Sequence, residues 1–529
     1  MLSKRPDALS FKSTLRSRDW LLAYGLPGLL LILGIAVRLI QYSFNRSLWS
    51  DEVKLALNII NRSYGEFLEP LHHNQAAPVG FLMVEKAMVQ LLGNHEYALR
   101  LFPLISGLTA LILGALLAKR LLSPLGAVVA IALLASSESL IYYSSEVKQY
   151  STDVAIALLL TLVLFSIRQS DLSRSQQVWS GLVGAIAVWF SYPAVFVLAG
   201  LEASYLIPRL WTQWQTRNQA PAEHHVLQDI CQRLPIYAAW LLSFGFFYVI
   251  SVRQASNNDT LESSWDRRCP DNLWDLDWLI GSLKHFFVNP LGFASVGVGV
   301  AIACFLLGCY ALNRIERDRF WLLLSPILVS ILVAYARLYP FYERLSLYLV
   351  PFFLVLIAAS AQTWSIDGRF SRLARLFGIA LTVALLIQPF WNALPLLVQP
   401  SYREAMHPLM SYLQTHYQPG DVIYVSEKSE YQFMYYADRY GFKPNDYHIG
   451  ANNLDSQGAL DQVSEQERDR TLADLETLRG NPRVWVVLSD VELRDEMKLV
   501  RSHLNDTARK LDQFQSPNST SFLYLYDLR

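Results

Sequence analysis

The chain has 529 residues, of which 53% are hydrophobic and only 17% are charged, with a mean hydropathy of +0.23. Soluble domains carry about 25% charged residues, so this composition predicts a polytopic membrane protein. The net charge is zero at pH 7. That balance argues against nucleic acid as a partner, because binding to a phosphate backbone needs a basic surface.

The first apolar stretch, residues 20–42, follows an N-terminal segment rich in Lys and Arg. At about 1.5 Å of rise per residue, it is long enough to cross the hydrocarbon core of a bilayer. A cleaved signal peptide would have a shorter apolar core and a small-residue cleavage site. The stretch therefore predicts an uncleaved first span with the N-terminus in the cytoplasm.

Further apolar segments bring the predicted number of membrane spans to about eleven. The stretch 178–207 is broken by Ser191-Tyr192-Pro193 and predicts either two short spans or one kinked span, since proline removes a helix hydrogen bond. Lys and Arg concentrate in alternate connections, which the positive-inside rule assigns to the cytoplasm. The segments are 98–118, 123–141, 151–167, 178–190, 193–207, 235–252, 290–311, 320–336, 345–363 and 376–394.

This topology makes residues 44–96 a long first outer loop. Residues 79–92 are apolar but interrupted by Glu85 and Lys86, a pattern that predicts an amphipathic helix lying in the membrane interface. Residues 64–71 predict a second helix of this kind. The loop is therefore expected to lie against the outer membrane face.

From about residue 400 the composition changes and acidic residues exceed basic ones. Short β-rich runs alternate with helical patterns, which predicts a small α/β domain. The chain thus divides into a transmembrane domain, 1–399, and a soluble extracytoplasmic α/β domain, 400–529. The β-rich runs are 421–425, 483–488 and 521–526, and the helical patterns are 428–440, 464–479 and 490–505.

An acidic pair at the start of the first outer loop is the first candidate for chemistry. Asp51 and Glu52 lie shortly after the first span. One carboxylate can deprotonate an acceptor hydroxyl or hold a metal beside a phosphate. The alternative is an acidic helix start, since carboxylates favour helix N-termini.

Two cations lie in other predicted outer loops. Lys148 can pair with a phosphate as a point charge, or it can be a lysine that snorkels at a helix end. Arg344, at the mouth of the span 345–363, can hold a lipid phosphate or pair with Glu343. His72 and His73 are adjacent, so on a helix their side chains diverge by about 100° and do not share one metal ion. One of the two can be a ligand or a substrate contact, and the alternative is a solvated loop histidine.

Three motifs follow one another along the chain. Residues 47–52, Ser-Leu-Trp-Ser-Asp-Glu, form an acidic motif in the first outer loop. Residues 72–103 resemble the pattern H-x-P-P-L-Y…L-F-G…A-L-R-L-P, and residues 143–150, Tyr-Ser-Ser-Glu-Val-Lys-Gln-Tyr, resemble Y-S-Q-E-A-R-x-Y. In this order the three motifs resemble those of the GT-C superfamily of membrane glycosyltransferases, in particular its bacterial branch related to protein O-mannosyltransferases and lipid A aminoarabinose transferases (glycosyltransferase family 39/83-like).

The resemblance implies a GT-C fold and assigns roles to these residues. Asp51 becomes the catalytic base, supported by Glu52. Lys148 takes the place of the arginine that faces the donor phosphate, and Arg344 is a second phosphate contact. The candidate substrate contacts are His72, His73, Gln75, Glu146, Tyr150 and Tyr342.

The implied reaction is the inverting transfer of a sugar from a polyprenyl-phosphate donor to an extracytoplasmic glycan, lipid or protein at the cell membrane. Gln75 stands where aminoarabinose transferases carry a metal-binding glutamate, so no cofactor is assigned and a divalent metal is left open. The same departure argues against lipid A as the acceptor. The alternatives are a transporter or flippase of lipid-linked sugars, transfer of a non-sugar group from a lipid phosphate, and a non-catalytic scaffold.

Overall fold

The computed structural model describes residues 21–168, 172–216, 226–253, 263, 265–363, 372–401, 403–450, 465–489, 495–517 and 519–529. Helices fill most of the chain up to residue 393, and a five-stranded sheet lies near the C-terminus. The predicted fold class, a helical membrane protein with a C-terminal α/β domain, is confirmed. The predicted cytoplasmic segment before residue 21 lies outside the described residues.

The longer helices of the membrane part occupy nearly all of the predicted apolar segments. They are α1 (Leu26–Ser43), α2 (Ser50–Asn61), α3 (Val79–Leu92), α4 (Glu96–Leu121), α5 (Pro124–Ser136), α6 (Glu138–Tyr143), α7 (Tyr150–Ser166), α8 (Arg174–Phe190), α9 (Ala194–Thr216), α10 (Val226–Phe247), α11 (Leu276–Val288), α12 (Val296–Ile315), α13 (Arg317–Tyr335), α14 (Val350–Thr363) and α15 (Arg372–Ala393).

Within the described residues, 8 helices are long and apolar enough to cross a membrane. Of the three remaining predicted spans, two coincide with the shorter apolar helices α5 and α7, and one coincides with α8. The chain is a multi-pass membrane protein. The stretch 178–207 forms two helices, because α8 ends at Phe190, Ser191 is extended, and α9 begins at Ala194.

The centre of the membrane part is α14 together with the 3-10 turn Glu343–Leu349 that precedes it. In the apolar helical segment Glu343–Gln362, 94% of the residues in its apolar stretch are buried inside the protein. Helix α12 approaches it closely because Gly308 has no side chain: a Cβ at this position would collide with the carbonyl oxygen of Leu356. A glycine in a helix interior costs about 0.5–1 kcal/mol relative to alanine, and close backbone packing offsets that cost here.

A buried arginine closes the end of the short helix α5. The last carbonyl groups of a helix have no partner within it. Arg38 of α1, only 1% exposed, donates through its guanidinium to the carbonyl oxygens of Leu134 at 3.2 Å and Ala135 at 3.4 Å. Its positive charge also complements the negative end of the helix dipole.

The C-terminal sheet has the order β2-β1-β3-β5-β4. Strand β1 pairs parallel with β2 and β3, whereas β5 pairs antiparallel with β3 and β4. The predicted strands appear as β1, β3 and β5, but β2 and β4 were not predicted. The strands are β1 (Val422–Val425), β2 (Tyr447–Ile449), β3 (Val484–Leu488), β4 (Arg509–Gln515) and β5 (Phe522–Asp527), accompanied by helices α16 (Met406–His416), α17 (Glu430–Ala437), α18 (Glu465–Glu476) and α19 (Asp495–Thr507).

This sheet domain, as we call the unit from α16 to β5, packs directly on the start of the first outer loop. The backbone N–H of Leu48 donates to the Tyr436 hydroxyl at 2.8 Å, and the Gln432 side chain donates to the Leu48 carbonyl at 3.2 Å. The backbone N–H of His407 donates to Ser47 Oγ at 2.8 Å. The segment that precedes Asp51 is therefore held by hydrogen bonds to two helices of the sheet domain, α16 and α17.

Candidate active site

Asp51 lies in the first turn of α2, and the loop before it is held by the sheet domain. Helix N-termini leave backbone N–H groups without a partner inside the helix. One of them, the N–H of Ser50, donates to Glu404 Oε2 at 2.8 Å. Residue 404 thus satisfies the start of α2, and the Asp51 side chain stays available for other contacts.

Two cations from distant parts of the chain meet at the Asp51 carboxylate. Lys148 Nζ lies 3.0 Å from Asp51 Oδ1, and Arg344 Nη1 lies 2.9 Å from Asp51 Oδ2. The Lys148 side chain is only 5% exposed, so it does not snorkel into the membrane surface. The structure therefore brings together the predicted base and both predicted phosphate ligands.

Gln75 completes this cluster. Its amide nitrogen donates to Asp51 Oδ1 at 3.2 Å, and its amide oxygen accepts from Lys148 Nζ at 2.6 Å. The side chain therefore bridges the base and the cation. Hereafter "the ion cluster" means Asp51, Gln75, Lys148 and Arg344.

The charges in the ion cluster shift the pKa values of its members. Burial alone raises the pKa of Asp51, but the positive charges of Lys148 and Arg344 outweigh it and bring that pKa below its usual range. Burial lowers the pKa of the Lys148 ammonium group, and the Asp51 carboxylate opposes this effect. Asp51 is consequently ionised at neutral pH and accepts a proton only weakly while both cations face it.

Glu52 points away from the ion cluster into a closed network. Its carboxylate accepts from Arg100 Nε at 3.0 Å and Nη2 at 2.7 Å. It also accepts the backbone N–H groups of Val147 at 2.8 Å and Trp49 at 3.2 Å. Glu52 and Arg100 are almost completely buried. This network ties the start of α2 to the loop that carries Lys148.

A third cation approaches from the segment that leads into the sheet domain. The guanidinium carbon of Arg403 lies 4.5 Å from the centre of a Trp49 ring, and Arg403 donates to the Tyr143 hydroxyl at 3.2 Å. Glu146 accepts from Trp49 Nε1 at 3.0 Å and is fully buried. Burial and the neighbouring Glu52 raise the pKa of Glu146, while Arg403 opposes them.

Of the other predicted substrate contacts, Tyr150 lies beside the ion cluster, and His73 and Tyr342 pack on other aromatic rings. The ring of Tyr150 lies 5.6 Å from the guanidinium carbon of Arg344. The imidazole of His73 packs on Tyr431 of the sheet domain with centroids 4.5 Å apart, whereas His72 is exposed. Tyr342 stacks on His285, with ring centroids 5.1 Å apart, in a separate aromatic contact.

The described residues contain no group of three or more His, Cys, Asp or Glu side chains placed to hold a metal ion. Both polar atoms of Gln75 are engaged with Asp51 and Lys148. Two cations already neutralise Asp51. The donor set of the ion cluster therefore does not fit a further divalent cation.

Arg100, Arg403 and Glu404 were not singled out as site residues from the sequence. Of these three, Arg100 stands inside residues 72–103, a stretch that carried the family resemblance, which was the available signal. Their partners lie 48 residues or more away in the chain, so spacing gave no indication of the contacts.

Comparison with solved structures defines the class of the fold. The chain superposes on ArnT from Cupriavidus metallidurans bound to undecaprenyl phosphate with a TM-score of 0.50, at 10% identity, covering 95% of this chain and 98% of that one. Archaeal oligosaccharyltransferase AglB from Archaeoglobus fulgidus, in complex with an inhibitory peptide and a dolichol-phosphate, gives 0.51 at 11% identity, with coverages of 96% and 74%. At such identities the likeness establishes the fold, which is the GT-C fold.

The sequence comparison is narrower. Residues 75–224 match the family model of dolichyl-phosphate-mannose-protein mannosyltransferases. No curated protein matches the chain. The family match and the fold together confirm the predicted resemblance to the GT-C superfamily of membrane glycosyltransferases.

Proposed function

We propose that this protein transfers a sugar from a polyprenyl-phosphate donor to an acceptor hydroxyl on the outer side of the membrane. The observation that carries the proposal is the ion cluster, where one partly buried carboxylate meets two cations from distant parts of the chain. Such a pairing supplies a base for the acceptor and positive charge for a leaving phosphate. The N-terminus then lies in the cytoplasm and the sheet domain outside.

In the proposed reaction Asp51 takes the proton of the acceptor hydroxyl. The acceptor oxygen attacks the anomeric carbon of the sugar from the face opposite the phosphate. The bond between that carbon and the phosphate oxygen breaks, and its electron pair leaves with the polyprenyl phosphate. Attack from the opposite face inverts the anomeric configuration, and no second carboxylate is needed as a nucleophile.

The ion cluster also suggests how the base is activated. Lys148 and Arg344 pair with Asp51 when no phosphate is bound. A donor phosphate competes for the same cations, and its arrival withdraws positive charge from Asp51. The pKa of Asp51 then rises towards its usual range, because the charges that lowered it are shared with the phosphate. Donor binding thereby precedes acceptor deprotonation.

The comparisons support the choice of donor. Solved chains of the same fold hold undecaprenyl phosphate or dolichol-phosphate, and the matching family model describes enzymes that use a dolichyl-phosphate sugar. The apolar surface of the membrane helices suits a prenyl tail. The position of the sheet domain over the first outer loop suggests that it selects the acceptor.

The test uses purified protein in lipid, supplied with a pool of polyprenyl-phosphate sugars and cell-envelope acceptors. Mass spectrometry follows the release of free polyprenyl phosphate. We expect sugar-dependent release by the wild type, none by Asp51→Asn, and full release by Glu69→Gln, a matched control because Glu69 is an exposed carboxylate of the same loop. Equal release by all three proteins would contradict the proposal.

A further inference from the structure

A second group of buried polar side chains lies beyond the ion cluster, at the start of α7. Gln149 and Asp153 are four residues apart, so they share one face of the helix. They are 6% and 4% exposed, respectively. Gln149 Oε1 and Asp153 Oδ1 have no hydrogen-bond partner among the described residues. Buried polar atoms are nearly always partnered in folded proteins, so both oxygens call for a donor.

The connection between α8 and α9 contributes a third polar side chain. Ser191 is 1% exposed, and its hydroxyl faces the Asp153 carboxyl group and meets no other polar partner within the described part of the chain. In the predicted topology this connection lies on the outer side of the membrane, at the same end as the start of α7.

This group is close to the ion cluster along α7. The ring of Tyr150, the residue after Gln149, is 5.6 Å from the guanidinium carbon of Arg344. Asp153 lies three residues further along the same helix, which is about 4.5 Å along the axis. A group attached to a phosphate held by Lys148 and Arg344 would thus lie within one helical turn of Asp153.

We propose that Gln149, Asp153 and Ser191 form the pocket for the sugar ring of the lipid-linked donor. The inference rests on the proposed function and specifies the substrate class as a donor with free ring hydroxyls facing α7. The carboxyl and amide oxygens accept hydrogen bonds from those hydroxyls, and Ser191 can donate or accept.

The chemistry of the three atoms favours a sugar over the other parts of the donor. A prenyl tail offers no donor, and leaving the acceptors unpaired beside it would cost free energy. An ionised phosphate offers only acceptor oxygens, which cannot satisfy the unpaired acceptor oxygens of Gln149 and Asp153. Ring hydroxyls supply several donors at adjacent carbons, which suits acceptors that lie on one helix face.

The experiment compares binding of two lipids by native mass spectrometry. One is undecaprenyl phosphate, and the other is the undecaprenyl-phosphate hexose that the wild type binds best among the glucose, galactose and mannose forms. We expect the wild type to prefer the glycosylated lipid and Asp153→Asn to lose about tenfold or more of that preference. Ser191→Ala is expected to lose a smaller part. Binding of bare undecaprenyl phosphate by both variants should stay unchanged, which shows that they are folded.

The outcomes separate the two proposals. If the preference is unchanged in both variants, the buried atoms hold water or bond within the protein, and the pocket is refuted. If the wild type binds neither lipid, or if Lys148→Met binds both as well as the wild type does, the proposed function fails instead. A loss of preference confined to Asp153→Asn and Ser191→Ala supports the pocket.

Discussion

Breaking the buried ion pair between Arg100 and Glu52 tests how the active-site loop is held. Arg100→Met removes two hydrogen bonds to Glu52, at 3.0 and 2.7 Å, and leaves a fully buried carboxylate without its cation. It also removes donors to the carbonyl oxygens of Arg46 and Ser47. Breaking one side of such a pair costs about 3–5 kcal/mol. A tenfold change in an equilibrium constant corresponds to about 1.4 kcal/mol, so the unfolding equilibrium constant should rise by roughly two to four powers of ten.

The assay is equilibrium unfolding in mixed detergent micelles, followed by tryptophan fluorescence, for Arg100→Met, Glu52→Gln and the double variant. The double variant buries no lone charge, so it should be more stable than Arg100→Met alone. Arg120→Met is the matched control, because Arg120 is exposed on the same helix. Turnover should fall with Arg100→Met even where the protein is folded, because the start of α2 loses its anchor.

Two results would contradict this reasoning. One is an unfolding midpoint for Arg100→Met equal to that of Arg120→Met. The other is strict additivity of the two single variants in the double variant, because residues that share a network should show a coupling energy. Either result would mean that the network does not hold the loop.

Three further predictions concern the ion cluster, the helix packing and the segment that leads into the sheet domain. Lys148→Arg should keep donor binding, whereas Lys148→Met should weaken it about 10- to 100-fold in a titration with undecaprenyl phosphate, since a charged hydrogen bond contributes about 1.5–3 kcal/mol. Lys148→Met should also move the acidic limb of the pH–rate profile to higher pH, because Lys148 lowers the pKa of Asp51 and its loss lets that pKa rise. Because the native pKa of Asp51 is lowered, its ion pairs stabilise the wild-type protein above the unfolded pKa, and this stabilisation is lost as pH falls through the native pKa. Gly308→Ala should lower the melting temperature because its Cβ would meet backbone, while Gly299→Ala, with open space around it, should not. Glu404→Ala should lower kcat with little change in donor affinity, because it releases the first N–H of α2; an unchanged kcat would contradict this.

The membrane helices could be predicted from the sequence because long apolar runs specify them without reference to the rest of the chain. Helix α3 was predicted with the bounds that it has. The ambiguous stretch at Ser191-Tyr192-Pro193 was recognised as a break, but its outcome depends on whether the extended Ser191 is buried against α7, which no local pattern encodes.

The strands β2 and β4 could not be predicted in this way. Strand β4 carries Arg509, Lys510 and Asp512 and is mostly exposed, because it is an edge strand that pairs with β5 alone. Its charged residues conceal the strand from a search for apolar runs, and charged edges are a common protection against aggregation. Strand β2 has only three residues, too few for a pattern.

The predicted site residues likewise divide into those that the sequence could indicate and those whose contacts depend on the fold. Asp51, Lys148, Gln75 and Arg344 meet in the structure, and the family resemblance indicated three of these four as a base or phosphate ligands. The partner of Glu52 could not be inferred, because Arg100 lies on another helix and a buried ion pair leaves no periodic signal. Tyr342 packs on an aromatic neighbour instead of the ion cluster, which depends on the fold of the loop before α14.

The most direct test of the central claim measures donor binding and turnover separately in Asp51→Asn. The account predicts that turnover is lost while undecaprenyl phosphate binds as tightly as in the wild type or more tightly, because Lys148 and Arg344 no longer pair with a carboxylate. Retained turnover would contradict the role of Asp51 as the base. Loss of binding together with turnover, in a protein that unfolds like the wild type, would contradict the competition between Asp51 and the phosphate for the two cations.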